Sequence, residues 1–304
     1  MEEEEKIQKI KFKYRLEYAL VRAFEFCFRI TPYRICLWNA CILARFVFHI
    51  VGWRRKEAIR RIKSVFPDIT DKEANRIAYH SIRNILLNCA ETMHLSGVSD
   101  KWINDHTINC AAAMEKIKAI TKDSGAILAL PHFGNWDLAG IIVAHHKIPI
   151  FSVAGIQHNP LTNDWINNKR ATGITILPRG TLAMRSTLKR LKQKEVFAIL
   201  PDVRMKTHDI EIPFLGSKAN LGRGMALFAR RTGSPILLAK VWRTDLSHHF
   251  LDVSTPIMAD QTLDEETDII RMTTLVMEII EKQIFENPDQ WFWYNKRWVL
   301  DPIE

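Results

Sequence analysis

The sequence predicts an α/β domain with a mainly parallel central sheet flanked by helices, preceded by an N-terminal helical arm. Three observations predict it. Short apolar runs bounded by turn residues recur after Gly97, helix-like stretches lie between them, and most of the net positive charge precedes the alternation. Strands alternating with helices bury both faces of a parallel sheet.

The arm comes first in the chain. Residues 1–63 hold 15 Lys and Arg against 7 Glu, so +8 of the chain's net +9 lies there. Such a gradient implies an anionic counter-surface, either nucleic acid or anionic lipid. In YRLEYALVRAFEFCFRI (14–30), Arg15, Arg22 and Arg29 recur seven apart, while Leu16, Leu20, Phe24 and Phe28 fill another face. That pattern is an amphipathic helix with an aromatic apolar side. ICLWNACILARFVFHIVGW (35–53) is nearly long enough to cross a bilayer, but Arg45 sits near its middle. An arginine at the bilayer centre costs about 2.5–3.5 kcal/mol on the insertion scale, so the stretch is expected to lie in the interface rather than to span. WRRKEAIRRIK (53–63) sets a basic cluster beside Trp53, the composition of a membrane edge. A basic-arm nucleic-acid-binding protein is the non-enzyme alternative, and the phenylalanine-rich face counts against it. The start, MEEEEKIQKIKFK, has no basic n-region followed by a clean apolar stretch, so export is not expected.

Residues 64–304 are expected to form one unit, with no internal repeat or long linker. Thr70 or Asp71 begins a helix, with Glu73 where a capping box wants it. Strands are expected at 126–130, 148–155, 173–177, 196–200, 234–243 and 249–254, and helices at 137–146, 159–171, 181–193 and 222–232. Cys27, Cys36, Cys41, Cys89 and Cys110 form no C-x-x-C pair and are odd in number, so buried reduced thiols in a reducing compartment are expected.

AILALPHFGNWDLAG (126–140) carries the chemistry. Pro131 ends the apolar strand because it cannot donate to a sheet ladder. Asn135 is the expected N-cap of the next helix, and Asp137 falls in its first turn, where the macrodipole favours a carboxylate. His132 then lies beyond the carboxyl end of a strand, where open α/β sheets carry their sites. An imidazole beside an ionised carboxylate is fixed in one tautomer and made more basic, so His132 with Asp137 is the candidate general-base pair. A helix-capping turn with a surface histidine is the plainer reading of the same residues. There is no G-x-S-x-G elbow and no cysteine in an activating setting. The nucleophile is therefore expected to be a hydroxyl of the substrate, which is the logic of acyl transfer to an alcohol.

His145–His146 and His248–His249 have no acid or cysteine at ligand-like spacing, and no metal is expected. GRGMALF (222–228) lacks the third glycine of a phosphate loop and reads as a helix start. WFWYNKRW (291–298) leaves two readings open: a core-filling tail or an interfacial aromatic belt.

HFGNWD (132–137) resembles the His, four residues, acid signature of glycerolipid-type acyltransferases. It is most similar to the form found in the late acyltransferases of bacterial lipid A biosynthesis and the related mannoside acyltransferases. RRIKSVFPDITDKEANRIAYHSIRN, LPDVRMKTHDIEIPFLGSKANLGRGMALFARRTGSPIL and NPDQWFWYNKRWVL extend the likeness over about residues 15–300, in the family's order. The resemblance implies a glycerolipid acyltransferase-like fold, with His132 as general base and Asp137 as its orienting partner. It also implies a nearby arginine that binds the acceptor or steadies the oxyanion, Arg170 first and Arg179 second. Asp202 matches a family acid lining the site, and Asn135 joins these as a substrate-side residue. The implied reaction moves a fatty acyl group from an acyl carrier protein or coenzyme A thioester to a hydroxyl of a lipid A precursor-type glycolipid. A lysophospholipid, glycerol phosphate or mannosylated phospholipid is the alternative acceptor. No cofactor is implied, and the implied place is the cytoplasmic face of the bacterial inner membrane. Three departures stand out: Asp137 where the lipid A enzymes usually carry glutamate, Asn295 where some relatives have histidine, and Val203 where a glutamine is common.

Overall fold

The computed structural model describes residues 11–95, 98–155, 158–170 and 173–301. Helices α1 (Phe12–Ile30), α2 (Tyr33–Phe46, running on into a π-helical turn to Val51), α3 (Arg55–Val65) and α4 (Asp71–His94) form the N-terminal layer. After α5 (Asp100–His106), β1 (Thr107–Ile108) and α6 (Cys110–Thr121), the alternation begins: β2 (Ala126–Ala129), α7 (Trp136–His145), β3 (Ile150–Ala154), α8 (Pro160–Arg170), β4 (Ile174–Pro178), α9 (Thr181–Lys192) and β5 (Val196–Ile199). A hairpin of β6 (Ile210–Phe214) and β7 (Ser217–Leu221) follows, then α10 (Gly224–Thr232), β8 (Ile236–Arg243), β9 (His249–Val253) and α11 (Glu265–Glu286).

The main sheet has the order β1-β9-β8-β2-β5-β3-β4, parallel throughout except for the β8–β9 pair. The expected α/β class and mainly parallel sheet are what the chain adopts. β2 is central, flanked by β5 and β8, and all four of its residues are buried. Its side chains divide between two cores. Ile127 and Ala129 join Phe197, Ile236 and Leu238 on one face, and Ala126 and Leu128 join Val196, Ala198 and Leu237 on the other. This two-sided burial is why the segment is an unbroken apolar run rather than an alternating one.

The hairpin β6–β7 was not anticipated from the sequence. Its turn uses Leu215 and Gly216, both at positive φ, the geometry a two-residue turn needs to match strand twist. Thr70 caps α4 as expected, its hydroxyl accepting from the Glu73 amide at 3.2 Å. α10 begins at Gly224, in keeping with the helix-start reading of that segment.

The arm is continuous with the rest. Cys36, Leu37 and Ala40 of α2 pack on Leu87 and Ala90 of α4, and Phe48, Ala58, Ile62 and Val65 join the larger core. The basic cluster is divided as well: Arg61 is fully buried, donating to the carbonyls of Trp293 and Asn295 at 2.9 and 2.8 Å and pairing with Asp301 at 2.7 Å. The outward faces of α1 and α2 are apolar, with Phe12, Leu16, Leu20, Phe24, Phe26, Ile30, Trp38, Ile42 and Phe46 all exposed. Residues Tyr33–Val51 are long and apolar enough to cross a membrane by length and composition, and Arg45 on that stretch is exposed.

The expectation of buried thiols holds for Cys36 and Cys110 and fails for Cys27 and Cys89, which are exposed. Cys27 lies on α1, whose apolar side faces outward, so hydrophobic surroundings in sequence did not mean burial. WFWYNKRW is core: Trp291, Trp293, Tyr294 and Trp298 are all buried. Their indoles and hydroxyl explain the choice, because several find partners inside, such as Trp293 Nε1 on the Pro288 carbonyl at 2.6 Å and Tyr294 Oη on Ala78 at 2.9 Å.

Candidate active site

Two parallel strands deliver the two central side chains. In the β2–β5 pair Ala129 stands opposite Ile199, and each strand continues through Leu-Pro to a polar residue, LPH at 130–132 and LPD at 200–202. Equal extension from a matched register brings His132 and Asp202 together at the carboxyl edge of the sheet. His132 Nδ1 and Asp202 Oδ1 are 2.9 Å apart, and the His132 amide donates to Asp202 Oδ2 at 2.8 Å. The indole Nε1 of Trp291 donates to the same Oδ2 at 2.9 Å.

Asp202 is almost wholly buried. Burial alone would raise its pKa, but the His132 ring, the Trp291 indole and the His132 amide outweigh it and hold the carboxyl below its ordinary value. An ionised Asp202 accepts only, so Nδ1 of His132 is the protonated nitrogen. Nε2 is then the ring atom able to take a proton. The ring is partly exposed and packs edge-on against Trp136, centroids 5.0 Å apart.

Asp202, seventy residues further along the chain, is the carboxylate hydrogen-bonded to Nδ1 of the His132 ring. Asp137 lies half-buried in the first turn of α7, near enough for its charge to act on the Cys89 thiol. Asn135 serves the local structure. It is buried, its Oδ1 accepts from the Leu138 amide at 3.1 Å, and its Nδ2 donates to Glu91 at 2.7 Å. Arg170 is the last residue of α8, and its side chain lies outside the described residues.

The loop between β2 and α7 is held from three sides. Phe292 donates its amide to the His132 carbonyl at 2.9 Å and Gly134 donates to the Gln290 carbonyl at 3.0 Å, so the C-terminal segment runs beside the loop as a short antiparallel bridge. Gly134 has φ +56, and a Cβ there would stand 2.0 Å from the Val241 carbonyl oxygen, so only glycine fits. Below the loop, Asn88 donates to the Gly134 carbonyl at 2.6 Å.

Glu91 is the centre of that support. It accepts from Arg243 at 2.9 and 2.6 Å, Tyr33 at 2.8 Å, Asn135 at 2.7 Å and His249 at 3.1 Å. Burial would raise its pKa, but Arg243 and then His249 hold it well below the usual carboxylate range. No spacing in the sequence singles out Glu91 with Arg243 and His249, since the glutamate lies on α4 and the other two face each other on β8 and β9, more than 150 residues later. Tyr33 of the arm and Asn135 of the loop meet on this one carboxylate.

A cavity of about 820 Å³ opens beside His132. Phe197, Leu221, Met225 and Phe228 form apolar parts of its wall, the buried Thr187 and Thr273 also line it, and Arg179, Lys206 and Arg297 add positive charge. The slot is mostly apolar with a histidine at one side, the kind of lining that binds a largely apolar ligand and fixes it by a few polar groups. Of the residues singled out from the sequence, the cavity brings together His132, Arg179, Val203 and Asn295; Arg297 and Lys206, which also line it, were not singled out. The histidine pairs have ordinary partners, His145 on Asp100 at 2.7 Å and His248 on Asp245 at 2.8 Å. Among the described residues no group of three or more His, Cys, Asp or Glu converges as a metal site.

Comparison with known proteins decides the family. Residues 5–299 match the family described as bacterial lipid A biosynthesis acyltransferase. The chain belongs to that family. Among individual proteins, it is similar to phosphatidylinositol mannoside acyltransferases of Mycobacterium tuberculosis, in strain CDC 1551 / Oshkosh at 24% identity over 191 residues, 61% of this chain and 58% of the relative. The protein from strain H37Rv is also 24% identical, over 193 residues and the same shares of the two chains. One from Mycolicibacterium smegmatis is 23% identical over 188 residues, 60% of each chain. The matched segment thus spans less than two thirds of these relatives. For a lipid A biosynthesis acyltransferase family member, the His132 loop, the Asp202 contact and the adjoining apolar cavity form one connected site.

Proposed function

We propose that this protein is a membrane-surface O-acyltransferase in which His132 is the general base and Asp202 the residue that orients it. The observation that carries the reading is the His132–Asp202 contact at 2.9 Å beside an apolar cavity. Nε2 of His132 takes the proton of the acceptor hydroxyl as its oxygen attacks the carbonyl carbon of an acyl thioester. The tetrahedral intermediate then collapses with cleavage of the C–S bond, and the leaving thiolate takes the proton from His132. The products are an ester and a thiol. Arg170, with backbone amides, is proposed to steady the oxyanion or the acceptor.

The donor is proposed to be a thioester of acyl carrier protein or coenzyme A, and the acceptor a lipid A precursor-type glycolipid, in keeping with the family's description. A mannosylated phospholipid is the second reading, favoured by the names of the similar proteins and by aspartate at position 137. The arm is proposed to lie at the cytoplasmic face of a bacterial inner membrane. The exposed apolar faces of α1 and α2 support this, and the opposite face of α2, seated on α4, supports lying along the bilayer surface rather than crossing it.

The test is incubation of the full chain with labelled acyl-coenzyme A or acyl carrier protein and membranes of defined composition, with products identified by mass spectrometry. Acylation of one lipid class, abolished in His132→Ala, is the expected result. No acylated lipid with either donor, or undiminished product from His132→Ala, contradicts the proposal.

A further inference from the structure

Helix α1 is amphipathic in an inverted sense. Its inward stripe is Tyr14, Glu17, Tyr18, Val21, Glu25 and Phe28, at helical spacing, and the one residue of the helix that is fully buried is Glu25. Its outward face carries Phe12, Leu16, Leu20, Phe24 and Phe26, all exposed. The helix therefore meets the body largely through polar groups and turns its apolar side to the surroundings.

Those polar groups run to α8. Glu25 Oε2 accepts from the Trp165 indole at 2.8 Å. Asn159, which caps α8 by accepting from the Leu161 amide at 3.1 Å, donates from Nδ2 to the Tyr14 carbonyl and to Glu17 Oε2, each at 3.0 Å. At the far end of α1, His94 Nδ1 lies 2.7 Å from the Phe28 carbonyl. On α8 itself none of residues 160–166 is fully buried, so among its described side chains there is little apolar core to fix the helix in place.

The position of α8 bears on the cavity beside His132. The helix joins β3, whose Ser152 and Val153 line the cavity, to β4, the outermost strand of the sheet, and the turn after β4 supplies Arg179 to the same lining. Docking on α8 requires α1 to be helical, because the inward stripe exists only at helical spacing. Helices in proteins owe most of their stability to the packing of an apolar face, and α1 turns that face away from the body. A bilayer supplies the missing packing by taking the face up.

We infer that α1 is a bilayer-dependent clamp on α8: seating its outward face in a membrane stabilises the helix, whose inward stripe, through Glu25 and Trp165, then holds α8 and the cavity wall that α8 joins. Glu25 and Trp165 are positioning residues in this scheme. A bilayer that binds helical α1 better than unwound α1 shifts the docking equilibrium by that difference in affinity. The inference rests on the proposed seating of the arm at a bilayer surface and not on the chemistry at His132.

Hydrogen exchange of the full chain, followed by mass spectrometry with and without vesicles of phosphatidylglycerol and phosphatidylethanolamine, tests the clamp without turnover. In wild type, vesicles are expected to slow exchange in α8 about tenfold and to leave the central strand β2 unchanged. Trp165→Phe keeps a ring and loses the indole donor; it is expected to bind vesicles as wild type does while its α8 exchanges within about twofold of the vesicle-free rate. Glu25→Gln is expected to behave in the same way, and is the decisive variant if Trp165→Phe misfolds. Leu16→Gln/Leu20→Gln, altered only on the outward face, is expected to lose vesicle binding and the slowing together. A contact with a merely structural role would loosen α8 equally with and without vesicles, and that result overturns the proposal. So does vesicle binding by wild type with no response in α8. A wild-type chain that binds no vesicles contradicts the seating of the arm and the clamp with it, whereas a chain that shows the α8 response but transfers no acyl group contradicts the proposed reaction and leaves the clamp standing.

Discussion

Asp202 and Glu91 are both carboxylates removed from water, and the protein surrounds them differently. Glu91 accepts five hydrogen bonds, two of them from Arg243, so its charge is balanced whenever the chain is folded. Asp202 accepts three, from the His132 amide, the His132 ring and the Trp291 indole, none of them a permanent cation. Its counter-charge arises only when His132 is protonated. A buried carboxylate with a resident arginine holds structure in place; one facing a histidine at a cavity wall keeps electrostatic attraction in reserve for a proton. In the proposed reaction that is the moment the acceptor hydroxyl is deprotonated.

Substitutions separate the two centres. The largest expected effect is on turnover in His132→Ala: a loss of about 10²–10⁴-fold, the usual range for general-base catalysis, with a thermal midpoint within a few degrees of wild type. Activity within tenfold of wild type would break the comparison on the Asp202 side. Next comes Glu91→Gln, which leaves the buried Arg243 without its counter-charge. Unfolding in urea is expected to show a stability loss of about 3–5 kcal/mol, and a loss below 1 kcal/mol would mean that Glu91 is not the support described here.

Trp291→Phe is smaller in scale. It keeps an aromatic ring in the core but removes one donor from an ionised carboxylate, a bond worth about 1.5–3 kcal/mol. Transfer is expected to fall by about tenfold or somewhat more with the acceptor KM unchanged, because Asp202 is then less firmly held beneath His132. An unchanged rate would show that the indole bond is dispensable.

The smallest effect per unit change is the response to acid. Glu91 and Asp202 have folded pKa values depressed below their ordinary ones, so their contributions are complete above the unfolded carboxylate values and are lost as the pH falls below about 4.5. His249 is depressed as well, by burial first, so the unfolded chain takes up its proton earlier, beginning as the pH falls through about 6.5. All three act in one direction: urea midpoints should decline from near neutrality downwards, by at most about 1.4 kcal/mol per pH unit for each proton taken up. A midpoint that rises on acidification contradicts the assignment.

Much of this was legible in the sequence. The apolar run at 126–130, its terminating proline and the Asn135 cap gave the strand, turn and helix that carry His132, because each follows from local chemistry. The partner of His132 was visible in another form, as the repeated Leu-Pro-polar ending of two strands. Sequence proximity pointed to Asp137; the Asp202 contact itself was not legible, since nothing in one strand announces which other strand pairs beside it or in what register. Glu91, Arg243 and His249 were harder still. A glutamate in an amphipathic helix reads as solvent-facing until the arginine that neutralises it arrives from more than a hundred residues away. The tryptophans of the C-terminal segment suit either a core or a bilayer edge by composition, and their carbonyl and carboxylate partners decided for the core.

The central claim is that Asp202 orients His132 for proton transfer. Its most direct test is kcat/KM for acyl transfer across pH, compared between wild type and Asp202→Asn, with thermal unfolding measured on both. The asparagine fills the same space and leaves no charge to fix the tautomer or to stabilise the protonated ring. A fall of about 10²–10⁴-fold with the fold retained is predicted. Rates within threefold of wild type across the pH range, in a protein that melts normally, would contradict the account.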